Sequence, residues 1–448
     1  MNARPLLFAA TLLAAPSLSL AEEVALALDL RGVAAMAAER NPGLAASNRQ
    51  IEAAESLQSA ARAGWLPRVD VGTTAMRSDS PLTAFGSKLL QQQVIAADFN
   101  PAQLNKPAAM NNVQTYARVS LSLFDGGATV ARNEQATSSL DSSRQMHEMT
   151  GQQLLFDLIA AYSQLRQSQA ELAARQEGRK AAEHHLANMQ AMARQGMLIP
   201  GEVQAAKVFA LQAKVAEKSA ANAFLAADER LHRLLDLPVA RKLELTGDPK
   251  LLAPTKSLDE LQELAVAGRP DLVATRHQLE VADAGREVAR AAFLPQVRLL
   301  AEQQWNDKRA GLAHRNTTIA GMVDLNLFSG GRDKATYNAA SAEVERQRLQ
   351  LSDREEQVRF EVADSWRSRE LAAEALELHN ESASEADEAL RVSKLRFAAG
   401  LDRASDLLAA QARRDTALAE SIKARYALTQ AEAQLYLMAG QLTFEVIQ

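Results

Sequence analysis

Val113-Gln114-Thr115-Tyr116-Ala117-Arg118-Val119-Ser120-Leu121-Ser122-Leu123-Phe124-Asp125-Gly126-Gly127 is the stretch on which the fold turns. Val113, Thr115, Ala117, Val119, Leu121 and Leu123 alternate with Gln114, Tyr116, Arg118, Ser120 and Ser122, which gives one apolar and one polar face at a period of two. Ile319, Gly321, Val323, Leu325 and Leu327 alternate in the same way with Thr318, Ala320, Met322, Asp324 and Asn326. Val69, Val71 and Thr73 alternate with Arg68, Asp70 and Gly72, while a fourth segment, Val297 to Trp305, is less regular. At about 10 residues each, such strands are long enough to span a tilted path through a bilayer.

The strands belong to a duplicated unit. Asn41-Pro42-Gly43-Leu44 returns as Arg269-Pro270-Asp271-Leu272, and Trp65-Leu66-Pro67 as Phe293-Leu294-Pro295, both 228 positions on. Ser122-Leu123-Phe124-Asp125-Gly126-Gly127 returns as Asn326-Leu327-Phe328-Ser329-Gly330-Gly331, now 204 positions on, and Gly196 and Gly400 keep that offset. The change of 24 residues falls between Pro67 and Leu123, so one loop is longer in the first copy. Ordered anchors at constant spacing mark a repeat rather than helical low complexity. The expected units are residues 22–250 and 251–448, each a helix, a strand pair and a long helical hairpin. The strand pairs are expected near 66–77 and 113–124, then near 294–305 and 316–328, and the hairpins over 128–236 and 332–438.

Local signals agree with that plan. Asp29 is placed to cap a short helix ending near Arg40, and Pro42 is tolerated in the first turn of the next, which runs to about Arg62. Leu66-Pro67 ends it, since the residue before Pro is pushed toward extended geometry. After Gly127 and Gly331 come helices of about 68 residues, each roughly 100 Å long at about 1.5 Å per residue. They turn at Gly196–Gly201 and Gly400–Arg403 and return to about Leu235 and Met438.

Composition narrows the function. Met1–Arg4, the apolar run Leu6–Leu13 and Ser19-Leu20-Ala21 read as a secretory signal peptide over residues 1–21. The chain has no Cys, which removes disulfides and thiolate metal sites, and its net charge of −5 comes without a basic block, which argues against nucleic acid. No later apolar stretch reaches the roughly 18 residues of a membrane helix, so any crossing must use strands. Open sheet edges are not tolerated in lipid and bacterial barrels start at about eight strands, so four strands must be pooled with those of other copies. His184 and His185 are adjacent on a helix and point apart, and Gly330-Gly331-Arg332-Asp333 lacks the P-loop spacing and Lys. Neither reads as a catalytic or metal site, and no cofactor is implied.

The Leu-Pro strand starts, the Leu-Phe-Asp-Gly-Gly and Leu-Phe-Ser-Gly-Gly strand ends and the segment Arg396-Phe397-Ala398-Ala399-Gly400-Leu401-Asp402-Arg403-Ala404-Ser405-Asp406-Leu407-Leu408 resemble the TolC-like outer-membrane factors over nearly the whole mature chain. The resemblance implies an α+β membrane protein in the outer membrane, a homotrimer whose three sets of four strands form one twelve-stranded barrel. It implies a helical tube through the periplasm, meeting a periplasmic adaptor and an inner-membrane pump. Ser78–Asn112 then becomes a long extracellular loop and Asn306–Arg315 a short one.

By the same likeness, partner contact maps to the hairpin tips: Gln195, Gly196, Met197 and Leu198, with Gly400, Leu401 and Asp402. The two glycines read equally as left-handed helix ends. Asp406 matches an acidic position at the periplasmic pore entrance, and the repeat offset sets Glu202 beside it in the alignment; Ala409 stands where some relatives carry a second acid. A helix-capping carboxylate is the other reading of Asp406. Arg68, Asp70, Arg118 and Asp324 are expected in the barrel lumen, or in structural salt bridges. A periplasmic adaptor and a soluble coiled-coil protein are the rival classes; the first would flank a single hairpin with β-rich domains, and the second has no use for four amphipathic strands.

Overall fold

A computed structural model describes residues 26–448; the expected signal peptide lies outside the described residues. The chain opens with β1 (Leu26–Leu28), α1 (Leu30–Arg40) and α2 (Pro42–Arg62). Asp29 Oδ1 accepts from the Gly32 amide at 2.7 Å, and Asn41 Oδ1 accepts from Gly43 and Leu44 at 2.9 and 3.1 Å, so each helix start is closed by its own cap. Then follow β2 (Arg68–Ser78), α3 (Pro81–Leu90), α4 (Pro101–Asn105), β3 (Met110–Asp125), α5 (Ala128–Arg194) and α6 (Pro200–Leu234). After β4 (Leu243–Leu245) the order repeats as α7 (Leu258–Gly268), α8 (Pro270–Arg290), β5 (Gln296–Asp307), β6 (Arg315–Asp324), α9 (Arg332–Ala398) and α10 (Ala404–Met438). The Leu-Pro pairs act as their chemistry demands: Leu66 and Leu294 are extended, at ψ of 150° and 154°.

β2, β3, β5 and β6 form one antiparallel sheet in that order, with a bulge between Ser122 and Phe124. β5 is a regular twelve-residue strand despite its uneven hydropathy. β6 is shorter than the expected 316–328 and stops at Asp324. The reason is its partner: Asp324 pairs with Gln296, and the preceding Pro295 has no amide proton with which to extend the ladder. Residues 78–112 are more than a loop, since α3, α4 and a 3₁₀ turn at Ala96–Phe99 occupy them. Buried Gln91, at the end of α3, donates to Asn111 O and Asn112 Oδ1 at 2.8 and 2.9 Å, and Asn112 Nδ2 donates to Asn306 Oδ1 at 2.9 Å. This amide chain fastens the inserted segment to β3 and to the end of β5.

α5 and α9 are each 67 residues long and return as 35-residue partners, α6 and α10. α10 packs on both α9 and α5, which sets the two hairpins side by side. Gly178 supports that approach, because a Cβ there would lie 3.3 Å from the Asp415 carboxylate of α10. Among the described residues no helix is long and apolar enough to cross a membrane.

The main core sits midway along the helices, where α1 (Val33, Ala37), α5 (Leu158, Ile159, Tyr162), α6 (Leu231) and α10 (Leu437) meet Leu251 and Ile447. β1 and β4 pair in parallel beside it, a two-stranded ribbon that the sequence reading did not anticipate. Behind β4 lies a clasp. The Tyr162 hydroxyl donates to Thr246 O at 2.7 Å, and Asp248 accepts from Arg166 (3.2 Å), Arg425 (2.6 Å) and Tyr426 (3.1 Å), which joins α5 to α10. Burial pushes the Tyr162 hydroxyl up to about 12, so it stays a donor at any physiological pH. A second polar knot ties the start of α8 to α9: buried Arg269 meets Asp271 and Glu361 at 2.8 and 2.6 Å, and Arg354 meets the same two acids.

Burial alone would raise the Asp248 pKa, but Arg425, the Tyr426 hydroxyl and Arg166 outweigh it and hold the carboxyl below its ordinary 3.8. A depressed folded-state pKa adds stability that is full above the ordinary value and is lost as pH falls through the folded one. Asp248→Asn is expected to cost about 2 kcal/mol at neutral pH, the scale of hydrogen bonds to charged groups. Its melting midpoint, followed by circular dichroism, should lie below wild type at pH 7, with the gap narrowing below about pH 4 as the wild-type carboxyl protonates.

Candidate functional site

Register and pleat decide which strand residues share a face. Arg68 pairs with Ser120, Asp70 with Arg118, Arg118 with Glu302 and Gln296 with Asp324, so Arg68, Asp70, Arg118 and Asp324 project from the same side of the sheet. Each is in an ion pair: Arg68–Asp70 at 2.9 Å, Arg118–Glu302 at 2.5 Å and Arg298–Asp324 at 2.7 Å. Arg298, Glu302 and Gln304 complete this polar face and escaped the sequence reading. Their signal was present, since they fall at even spacing along β5, but Leu300 on the polar face and Gln303 on the apolar one blur its hydropathy.

The other face carries Val69, Val71, Val119, Leu299, Ile319 and Val323, all exposed, with Ile319 at 74%. A large apolar sheet face open to the surroundings calls for lipid or another protein surface. Among the described residues β2 and β6 each have one hydrogen-bonded neighbour, which leaves two sheet edges bare. At the helical end of the sheet the apolar character continues in Trp65, Leu66, Phe124, Phe293 and Leu327.

The opposite end of the molecule is formed by the two hairpin turns. Gly196 and Gly400 are left-handed at φ of 76° and 71°. At the first turn, Met197 N donates to Met192 O at 3.0 Å and Gly196 N to Ala193 O at 3.0 Å; at the second, Leu401 N donates to Arg396 O at 2.9 Å and Gly400 N to Phe397 O at 3.0 Å. Both are Schellman closures, the geometry for which a residue without Cβ is preferred. Gln195, Gly196 and Met197 are exposed, as are Gly400 and Leu401. Leu198 instead turns inward onto a cluster of Met189, Ala206, Leu390, Leu407 and Leu408 that binds the two tips of this chain together. Asp402 is held by Arg396 at 2.8 Å and is only 16% exposed.

The two acids behind the turns are not equivalent. Asp406 is exposed in the first turn of α10 and accepts from the Arg403 amide at 3.3 Å, a capping contact. Glu202 is half-buried in the first turn of α6. Either carboxylate is favourable at a helix N-terminus without any further role.

Residues 33–236 and 261–441 match the outer membrane efflux protein family, and the chain belongs to that family. The alkaline protease secretion protein AprF of Pseudomonas aeruginosa is 25% identical over 434 residues, which cover 95% of this chain and 87% of AprF. The outer membrane efflux protein BepC of Brucella suis is 24% identical over 343 residues, 73% of either chain. Among solved structures, a membrane protein from Pseudomonas aeruginosa superimposes with a TM-score of 0.80 at 21% identity, covering 92% of this chain and 93% of that one. The outer membrane protein VceC of Vibrio cholerae gives 0.77 at 17% identity, with 92% and 96% covered. The fold is therefore that of outer-membrane channels, and membership assigns the chain to the outer membrane and to transport rather than catalysis. The rival classes, adaptor and soluble coiled coil, find no support.

An alanine at Gly400 or Gly196 must adopt the left-handed conformation at a cost of about 1–2 kcal/mol. Gly400→Ala is expected to loosen its tip locally, with Arg396–Leu401 becoming more accessible to limited proteolysis while the global melt stays unchanged. Proteolysis at the wild-type rate would show that the turn needs no glycine.

Proposed function

We propose that this efflux-family protein is the passive exit duct of a three-part export machine, active as a homotrimer. One observation carries the reading: a four-stranded sheet with an exposed apolar face and two unpartnered edges. Lipid cannot satisfy the bare amides and carbonyls of β2 and β6, and a β6-to-β2 contact between copies removes both edges at once. Three copies supply twelve strands, within the range of bacterial barrels. On that arrangement the polar face with Arg68, Asp70, Arg118 and Asp324 lines the lumen, and the paired charges there leave a hydrated but nearly neutral wall.

The helices support the same assembly. α6 exposes Val208, Leu211 and Val215, and α9 exposes Phe360, Leu371 and Leu378. These apolar stripes lie on the two outer members of the hairpin pair and suit contact between neighbouring copies closing a tube. Packing of that kind, more than propensity, stabilises long helices. The tips, with exposed Gln195, Gly196, Met197, Gly400 and Leu401, are the surface offered to a periplasmic adaptor, behind which an inner-membrane pump supplies energy and selects cargo. AprF is named for protease secretion and BepC for efflux, so the duct itself sets no narrow cargo class. Glu202 and Asp406 act at the entrance as two rings of three carboxylates that favour cations.

The absence of native Cys allows a clean test. Met197→Cys and Leu401→Cys trimers joined at their tips by a bis-maleimide should stop export in cells, with recovery when a cleavable linker is cut. In this reading the tips part to admit cargo, and export at the wild-type rate through fully cross-linked trimers would overturn that gate. For the rings, Glu202→Gln with Asp406→Asn should lower cation preference, read as a reversal-potential shift toward zero across a salt gradient in planar bilayers. An unshifted potential would leave Asp406 as a helix cap alone.

A further inference from the structure

The arginines on the two faces of the sheet are treated differently. Arg68, Arg118 and Arg298, on the polar face, each have a carboxylate within 2.9 Å. On the apolar face, β2 presents Val69, Val71, Thr73, Ala75 and then Arg77, while β6 read from its other end presents Val323, Gly321, Ile319, Thr317 and then Arg315. Both edge strands therefore carry the same program: an outward-facing run closed by arginine at the end remote from the helices. The run covers eight residue steps, about 26 Å along a strand at about 3.3 Å per step. At a tilt of roughly 40° it reaches about 20 Å in depth, close to the ~25 Å apolar band of such barrels.

Arg77 and Arg315 are exposed, and among the described residues neither side chain has an ion pair or a hydrogen bond. Lys308 and Arg309, in the turn between β5 and β6, are exposed and equally without a carboxylate partner. Trp305 stands directly opposite Arg315 on the same face. An indole beside a cation at the end of an apolar run is the chemistry of a membrane interface, where the ring spans the boundary and the charge reaches the headgroups. Arginine there also offers a fork of donors that fits a phosphate monoester or diester.

We propose that Arg77 and Arg315, with Lys308 and Arg309 of the neighbouring turn, form a docking site for anionic, phosphate-bearing lipid headgroups of the outer leaflet. The proposal rests on reading the sheet as part of a membrane barrel. Charge complementarity commits it to lipid: the cations terminate the lipid-facing side, whereas the lumenal arginines are already neutralised.

The test uses the full mature protein purified from the outer membrane as a trimer and placed in phosphatidylcholine nanodiscs with a small fraction of diphosphoryl lipid A. Bound lipid is counted by native mass spectrometry. Wild type is expected to retain diphosphoryl lipid A above its share of the mixture, and R77Q/R315Q to retain about thirtyfold less, on the scale set by two surface cations. K308Q/R309Q, which leaves the sheet untouched, carries the test if the first variant fails to assemble, and it should also lower retention. R49Q, in an exposed pair on α2, should match wild type. Retention without lipid preference, wild-type retention by the variants, equal loss in R49Q, or displacement of the lipid by an excess of inorganic phosphate would each overturn the docking site. Recovery of the protein in the soluble fraction would overturn the barrel as well, whereas a membrane-embedded trimer without lipid preference overturns the docking site alone.

Discussion

Backbone amides and carbonyls along a sheet edge cannot be left bare in hydrocarbon. That constraint reaches every other part of this chain. Among the described residues β2 and β6 each have a free edge, so the sheet of one copy is incomplete by itself, and in the proposed assembly its last partners come from another copy. The same incompleteness runs down the helices, where α6 and α9 keep large apolar side chains unburied. Sheet and helices thus leave the same request open, and the proposed threefold arrangement would answer both.

What the single chain does settle internally lies midway along the hairpins. There α1, α5, α6 and α10 bury a continuous core, and the C-terminal residues fold back so that Ile447 bridges Leu251. Asp248 and Tyr162 clasp two helices that belong to different copies of the repeat, whereas Arg269 ties α8 to α9 within the second copy. A knot of this kind fixes one relative position at little net gain, since desolvation offsets much of the attraction. The tips are joined by a smaller apolar cluster, and the second is closed by the Arg396–Asp402 ion pair.

Much of this was legible in the residues. Alternation in β3, the Leu-Pro starts, the paired glycines and the caps at Asp29 and Asn41 are local rules, and local rules read well from sequence. The tip residues Gly196 and Gly400 were found for the same reason. What escaped depended on partners distant in the chain. β1 is three residues long and exists only because β4 lies beside it. Arg298 and Glu302 were hidden in a strand whose two faces are less cleanly divided. The end of β6 was set by Pro295 of its neighbour, not by its own hydropathy. α3 and Gln91 fall in a segment without a counterpart in the second copy, so the repeat offered no template for the amide chain through Asn112 to Asn306 of β5.

The equal lengths of the two hairpins carry a consequence for how such a chain can change. With 67 residues down and 35 back in both, the two turns end at matched distances along their hairpins, and the proposed adaptor would meet a level bearing surface. Adding one residue to α5 alone would lower its turn by about 1.5 Å and swing it by about 100°. The rim would then tilt, and every contact beyond the insertion would point elsewhere. The hairpins are in this sense a matched pair of struts, free to alter side chains but not length. The 24-residue difference between the copies sits where no strut must be matched, between the outer ends of two strands.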